Sequence, residues 1–190
     1  MKFIVVLLLT TIATVSLGSF VKKYKTQNKP ILVSPLVAGS STTSTPSVFG
    51  WQVFTNNYYG YKINHPADIN VKNQRNGDIS LEKSKLINIF ITQDVLPEND
   101  TVNTVIENTI NNKTSQLKNN YVLVNTISPI AMGSATAQTY TSSENGKNIT
   151  YYYIPQKDKK FLLITNFTPQ NSSADYLTSE DIIYSLELLP

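Results

Sequence analysis

Apolar positions recur along the chain in two rhythms. Tyr59, Tyr61 and Ile63 alternate with their neighbours, which places them on one face of a β-strand. Trp51-Gln52-Val53-Phe54 reads as a shorter strand before them, and Gly60 reads as leaving room for the close approach of a neighbour. Asn76-Gly77 lies between Ile69–Asn73 and Ile79-Ser80-Leu81, a hairpin signal because both residue types tolerate positive φ. Asn88–Asp94 gives a further strand, with Ile89 and Ile91 facing one way and Phe90 the other. The rhythm then changes. Val102, Val105, Ile106, Thr109, Ile110 and Leu117 recur at helical spacing and predict one apolar stripe on a helix over residues 101–118. Asp100 or Thr101 would cap its start by accepting a free backbone N–H.

Four strands are expected after that helix. Tyr121–Ile127 alternates, with Tyr121 and Leu123 opposed to Val122 and Val124. Ala135–Thr141 and Ile149–Ile154 flank a second Asn-Gly turn, Glu144-Asn145-Gly146-Lys147. Phe161–Phe167 is almost continuously apolar, as a central strand covered on both faces would be. Thr178 with Asp181 has capping-box spacing and would open a last helix whose buried side is Ile182, Ile183, Leu186 and Leu189. Short connections between successive strands favour antiparallel pairing. The expectation is an α+β domain: an antiparallel sheet of about six or more strands sandwiched by helices, preceded by an N-terminal hydrophobic helix.

Charge changes this picture by its distribution. Five of the 16 basic residues precede residue 51, and the other 11 face all 13 acids, so residues 51–190 carry a formal charge of −2. That balance lacks the basic footprint of a phosphate-backbone binder, and no nucleic-acid partner is expected. The chain has no cysteine, which excludes disulfides, thiol nucleophiles and thiolate metal sites.

The N-terminal basic residues flank an uncharged run from Phe3 to Val21. As a helix it would reach about 28 Å, near the hydrocarbon thickness of a bilayer. It reads as a signal anchor within residues 1–25 or as a signal peptide cleaved after Gly18; the apolar run continues past Gly18, which favours retention. Its place at the chain start, behind a short basic lead, favours export of the chain beyond it, although three lysines just past the run pull the other way. Residues 26–50, rich in Ser, Thr and Pro, read as a linker, and residues 51–190 as the folded domain.

Candidate chemistry is sparse. His65 is the one histidine, and Asp68 is near it, but no Gly-x-Ser-x-Gly elbow supplies a nucleophile. His65 reads as a strand-end residue held extended by Pro66, and no catalytic residue is assigned. Asp94, Glu98 and Asp100, with Asn99, offer oxygen donors to calcium, yet the spacing is not that of an EF-hand, and acids before a helix are also favoured by its dipole. No cofactor is implied. Tyr151 and Tyr153 share one face of a strand, with Tyr152 on the other. They are candidates for an aromatic binding surface, beside the plainer reading that tyrosine simply favours strands.

Phe54 followed by Tyr59-Gly60-Tyr61-Lys62-Ile63-Asn64-His65-Pro66 resembles the start of PsbP-like domains, where an aromatic-Gly-aromatic strand runs into a proline. Ile130-Ala131-Met132-Gly133-Ser134-Ala135, leading to Tyr140, resembles that family's glycine-and-alanine lead into its central meander. Ser185-Leu186 resembles its closing serine-hydrophobic pair, and Ile69 stands where the family often has tryptophan. The resemblance covers about residues 51–190. It implies the Mog1/PsbP fold and a protein that is not an enzyme; the photosystem role of the photosynthetic members has no matching segment here and is not carried over. The expected function is a non-catalytic, extracytoplasmic binding or assembly module. It would be tethered to a membrane through residues 3–21 and would have a protein partner. The alternative is an exported enzyme or small-ligand carrier with a pocket between sheet and helix.

Overall fold

The computed structural model describes residues 50–74, 76–84, 86–133, 135–171 and 173–190. The expected anchor, cleavage site and linker lie outside them, Gly50 apart. Among the described residues no helix is long and apolar enough to cross a membrane.

Among the described residues ten strands and two α-helices follow in order: β1 Trp51–Asn56, β2 Tyr61–Pro66, β3 Asn70–Asn73, β4 Ile79–Lys83, β5 Ile87–Val95, α1 Val102–Leu117, β6 Tyr121–Met132, β7 Ala135–Glu144, β8 Lys147–Pro155, β9 Lys160–Asn166, α2 Ser173–Tyr184 and β10 Glu187–Leu188. They build two sheets, one ordered β1-β2-β10 and one ordered β3-β4-β5-β9-β8-β7-β6. Every pairing is antiparallel. The domain is therefore α+β with a broad antiparallel sheet, and the first two strands lie in a separate small sheet.

The apolar run at 161–167 becomes β9, the middle strand of the large sheet. Its alternate residues serve two cores. Leu162 and Ile164 join Tyr152, Ile154, Ile89 and Ile91 in a core with Ile182 and Ile183 of α2 and with Phe54, Tyr61 and Ile63 of the small sheet. Phe161 joins Tyr140, Tyr151, Tyr153 and Ile149 in a second core closed by Val102 and Ile106 of α1. The layers are thus α1, the large sheet, and α2 with the small sheet.

Local signals account for most boundaries. Thr101 caps α1, its side chain accepting the Thr104 N–H at 3.2 Å. Asn145 and Gly146 form a two-residue turn at φ 51° and 76° between the paired residues Glu144 and Lys147. The Asn76-Gly77 hairpin is longer, five residues between the paired Asn73 and Ile79.

Three expectations are corrected. Thr178 does not open the last helix: α2 begins at Ser173, and the Thr178 hydroxyl donates back to the Ala174 carbonyl at 2.9 Å. Leu186 and Leu189 fall beyond α2, where the chain extends and Leu189 N–H donates to Gly60 O at 2.8 Å. Gly60 itself has open space where a side chain would project; its need is φ +68° in the turn before β2. That turn is clasped to the β3–β4 loop. Asn56 Nδ2 donates to Gly77 O at 2.9 Å, and the Tyr59 hydroxyl lies 2.7 Å from Asp78 Oδ1.

Candidate functional site

Tyr151 and Tyr153 are not a surface. They are 6% and 2% exposed, because the stripe of α1 lies over them. The Tyr140 ring stacks on Tyr151 at 4.8 Å between centroids, and Tyr153 stacks on Phe161 at 5.6 Å. Alternation is enough to pair the two rings on one face, but not to say that a helix covers that face.

At the end of this aromatic layer a polar cluster fixes α1 to the sheet. Lys113 Nζ, from α1, donates to Glu144 Oε1 at 2.7 Å and lies 2.5 Å from the Tyr151 hydroxyl. Tyr151 and Ser142 each donate to the same Glu144 oxygen at 2.8 Å. Burial raises the Glu144 carboxyl pKa, but donation from Lys113, Ser142 and Tyr151 outweighs burial and holds it below the ordinary value. Tyr151 is pushed up, first by burial and then by the carboxylate it donates to. The Tyr140 hydroxyl is buried in the same layer with no hydrogen-bond partner among the described residues, an arrangement that carries a desolvation cost.

The remaining candidates separate. His65 is 5% exposed, with Nδ1 2.8 Å from Pro66 O, while Asp68 is engaged by Lys83 at 2.8 Å. The two do not form a base and its orienting carboxylate. Asp94 Oδ1 accepts the Val95 N–H at 2.8 Å, and the Glu98 carbonyl accepts from Lys159 Nζ at 2.7 Å. Asp94, Glu98 and Asp100 are not gathered: among the described residues no three His, Cys, Asp or Glu side chains could hold a metal ion together. The two cores occupy the middle of both sheet–helix interfaces.

Open apolar surface lies instead at one edge of the large sheet. β6 is its terminal strand, twelve residues long and without a charged residue. Val122, Leu123 and Val124 are 58%, 37% and 47% exposed, although sequence alternation alone reads half of them as buried. The pairing of β6 with β7 shifts register between Leu123 and Asn125 and again before Ser128. Beside this stretch a groove of about 420 Å³ opens between α1 and β6, lined by Ile110, Leu123, Ile127 and Glu107 among others. By alternation Val122, the neighbour of Leu123, faces away from that groove, and Val124 does not line it. The signal in the sequence is the lack of charge along residues 121–132. What it does not supply is the strand order that makes this strand an edge.

No family profile and no curated protein matches the chain. Among solved structures it is similar to cyanobacterial PsbP from Synechocystis sp. PCC 6803, with a TM-score of 0.56 at 11% identity over 83% of this chain and 98% of that one. It also matches LpqN of Mycobacterium tuberculosis, described as involved in cell envelope biogenesis, with a TM-score of 0.38 at 16% identity over 83% of this chain and 90% of that one. A protein from Bacteroides thetaiotaomicron VPI-5482 matches with a TM-score of 0.40 at 15% identity, over 68% of this chain and 45% of that one. The first likeness shows that the chain has the PsbP-like fold.

Proposed function

We propose that this chain is a non-catalytic binding module, tethered outside the cytoplasm through residues 3–21, whose edge strand β6 receives an extended segment of a partner protein. The observation that carries the reading is the contrast between the two edges of the large sheet. β3 is four residues long and carries Lys72, which pairs with Glu82 at 2.6 Å. Short length and charge both discourage strand addition there. β6 has neither protection, and its exposed Val122, Leu123 and Val124 flank unpaired backbone donors and acceptors. A strand added to such an edge gains main-chain hydrogen bonds, and its alternate side chains find Val122 and Val124 on one face and the α1 groove on the other. The expected occupant is therefore an extended segment with apolar residues on both faces. An uncharged edge would repel neither sign, so the partner is selected by shape and register.

The test uses the full chain in its own membranes, with a photo-crosslinking residue at position 124 or, as control, at position 71 of β3. A heterologous product from 124, absent from 71 and lost when Val122→Lys is added, supports the reading. Equal products from both edges, or indifference to Val122→Lys, refute it. A product of twice the chain's mass would identify a second copy and refute a separate partner. Protease treatment of intact cells tests the tether: digestion of residues 51–190 supports export, and protection overturns it. The mass of the mature chain distinguishes cleavage after Gly18 from a retained anchor.

A further inference from the structure

A second open feature lies at the end of the large sheet where β4, β7 and β9 finish and β5 and β8 begin. There a cleft of about 760 Å³ is bordered by Asn88, Lys147, Asn148, Phe167, Gln170 and Asn171, with Glu82 at its wall. We infer that this cleft binds a short oligosaccharide. The inference does not rest on the β6 reading, since the two surfaces share no residue.

The lining carries the argument. Four carboxamides converge on one cleft, and each presents both a donor and an acceptor, the pairing that vicinal hydroxyls satisfy. Phe167 is 42% exposed within this polar lining and offers an apolar face to the C–H side of a sugar ring. Charge is nearly absent. Glu82 is held by Lys72 and Ser80, and among the described residues Lys147 has no ion-pair partner. One cation among amides is too little for a polyphosphate and leaves room for a sugar that is neutral or bears a carboxylate. The volume lies within the range of small-molecule sites.

The backbone that carries the exposed ring is also held in place. Phe167 N–H donates to Asn88 O at 2.8 Å, and Asn88 N–H reaches Thr168 Oγ1 at 3.3 Å. Thr168 N–H donates to Asn166 Oδ1 at 3.0 Å, and Asn166 Nδ2 donates to Ser179 Oγ of α2 at 3.0 Å. Asn166, Thr168 and Ser179 are each at most 1% exposed, so the solvent-facing aromatic stands on a buried polar framework. Across the cleft Asn148 Nδ2 donates to Gln170 Oε1 at 3.0 Å, which aligns two of the amides. Preorganisation of this kind lowers the ordering cost of binding.

The experiment is saturation-transfer NMR on the full chain in phosphocholine micelles, which carry no sugar. The probes are cellotriose, maltotriose, N,N′,N″-triacetylchitotriose and trigalacturonate. The expected result is transfer to the ring C–H protons of at least one probe, with affinity weakened about tenfold by Phe167→Ala and also weakened by Asn148→Ala. If trigalacturonate is bound, Lys147→Met weakens it more than it weakens any neutral probe. Val124→Lys leaves sugar binding unchanged. No transfer to any of the four at millimolar concentration overturns the inference, as does binding indifferent to both Phe167→Ala and Asn148→Ala. Should Phe167→Ala lose its fold, Asn148→Ala decides alone.

Discussion

Replacing Lys113 by methionine would measure what holds α1 to the sheet. The stem of the side chain is kept and only the charge is lost. The Lys113 and Glu144 side chains are 25% and 12% exposed at 2.7 Å, so the pair lies between two known regimes. Exposed pairs contribute about 0–1 kcal/mol, whereas breaking a buried pair costs about 3–5 kcal/mol. Lys113→Met leaves the Glu144 carboxylate with Ser142 and Tyr151 still donating to it, and the expected loss is about 2 kcal/mol at pH 7. The sign with pH comes from the lowered Glu144 pKa. The carboxylate contributes fully above its ordinary value of 4.5, and that contribution is lost as pH falls through its lower folded value. The deficit of Lys113→Met should therefore shrink as the medium is acidified. The assay is urea unfolding of the full chain from pH 7 to pH 3, run as a double-mutant cycle with Glu144→Gln and repeated at high salt. Lys62→Met, which breaks the exposed pair with Glu187 at 2.9 Å, serves as the control and should leave stability unchanged within error. A Lys113→Met deficit below about 0.5 kcal/mol, or one independent of pH, would refute the claim that this pair fastens α1.

Three further sets of substitutions separate effects of similar appearance. Tyr140→Phe should be neutral or stabilising, because the buried hydroxyl has no partner, while Tyr151→Phe should cost about 1 kcal/mol through its lost bond to Glu144; thermal unfolding of the two side by side decides. Gly60→Ala should cost about 1 kcal/mol from φ +68° alone, since its surroundings are open, whereas Gly133→Ala should cost about 2–4 kcal/mol, because φ +53° is joined by a Cβ only 2.7 Å from Leu186 O; equal losses would disprove the distinction. Ser185→Ala should cost about 1–2 kcal/mol, because the hydroxyl accepts the Asn64 N–H at 2.8 Å and joins the end of α2 to β2; hydrogen exchange should show Asn64 opening faster in the variant.

Features legible in the sequence are those fixed by a few neighbouring residues. Thr101 as a cap, the Asn145-Gly146 turn and the central place of Phe161–Asn166 come from local chemistry or from a run of one type, whereas Phe167 lies past β9 and is exposed. Sequence reasoning errs where the deciding partner is distant. The Thr178–Asp181 spacing is correct for a capping box, but α2 has already begun at Ser173 and uses the Thr178 hydroxyl inside its own turn. β10 is two residues long, too short to show a period. Alternation puts Tyr151 and Tyr153 on one face of β8, but their exposure depends on α1, a helix some thirty residues earlier in the chain. The oligosaccharide cleft is invisible for the same reason. Its amides come from a strand start, a hairpin and the loop before α2, which only the order β5-β9-β8 brings side by side.

The strand order also limits where a partner could add to the sheet. After β9 the chain passes to α2 and returns to pair with β2, so no strand among the described residues pairs with the outer edge of β6. Its twelve residues are not equivalent. The register shifts between Leu123 and Ser128 twist the strand away from a regular ladder, as bulges at sheet edges do, and Pro129 has no N–H to offer. The shifts leave two regular stretches, Tyr121–Leu123 and Ser128–Met132, and only the first has every N–H. The first stretch and the shift after it hold the strand's exposed large apolar residues, Val122, Leu123 and Val124, and border the groove beneath α1, whose wall is fastened by Lys113 and Glu144. The shifts and Pro129 together thus limit pairing along the rest of the edge and leave Tyr121–Leu123 open, so a crosslinker at position 131 should capture far less partner than one at position 124. Equal capture at the two positions would mean that the whole edge is open and that the bulges do not select the docking segment.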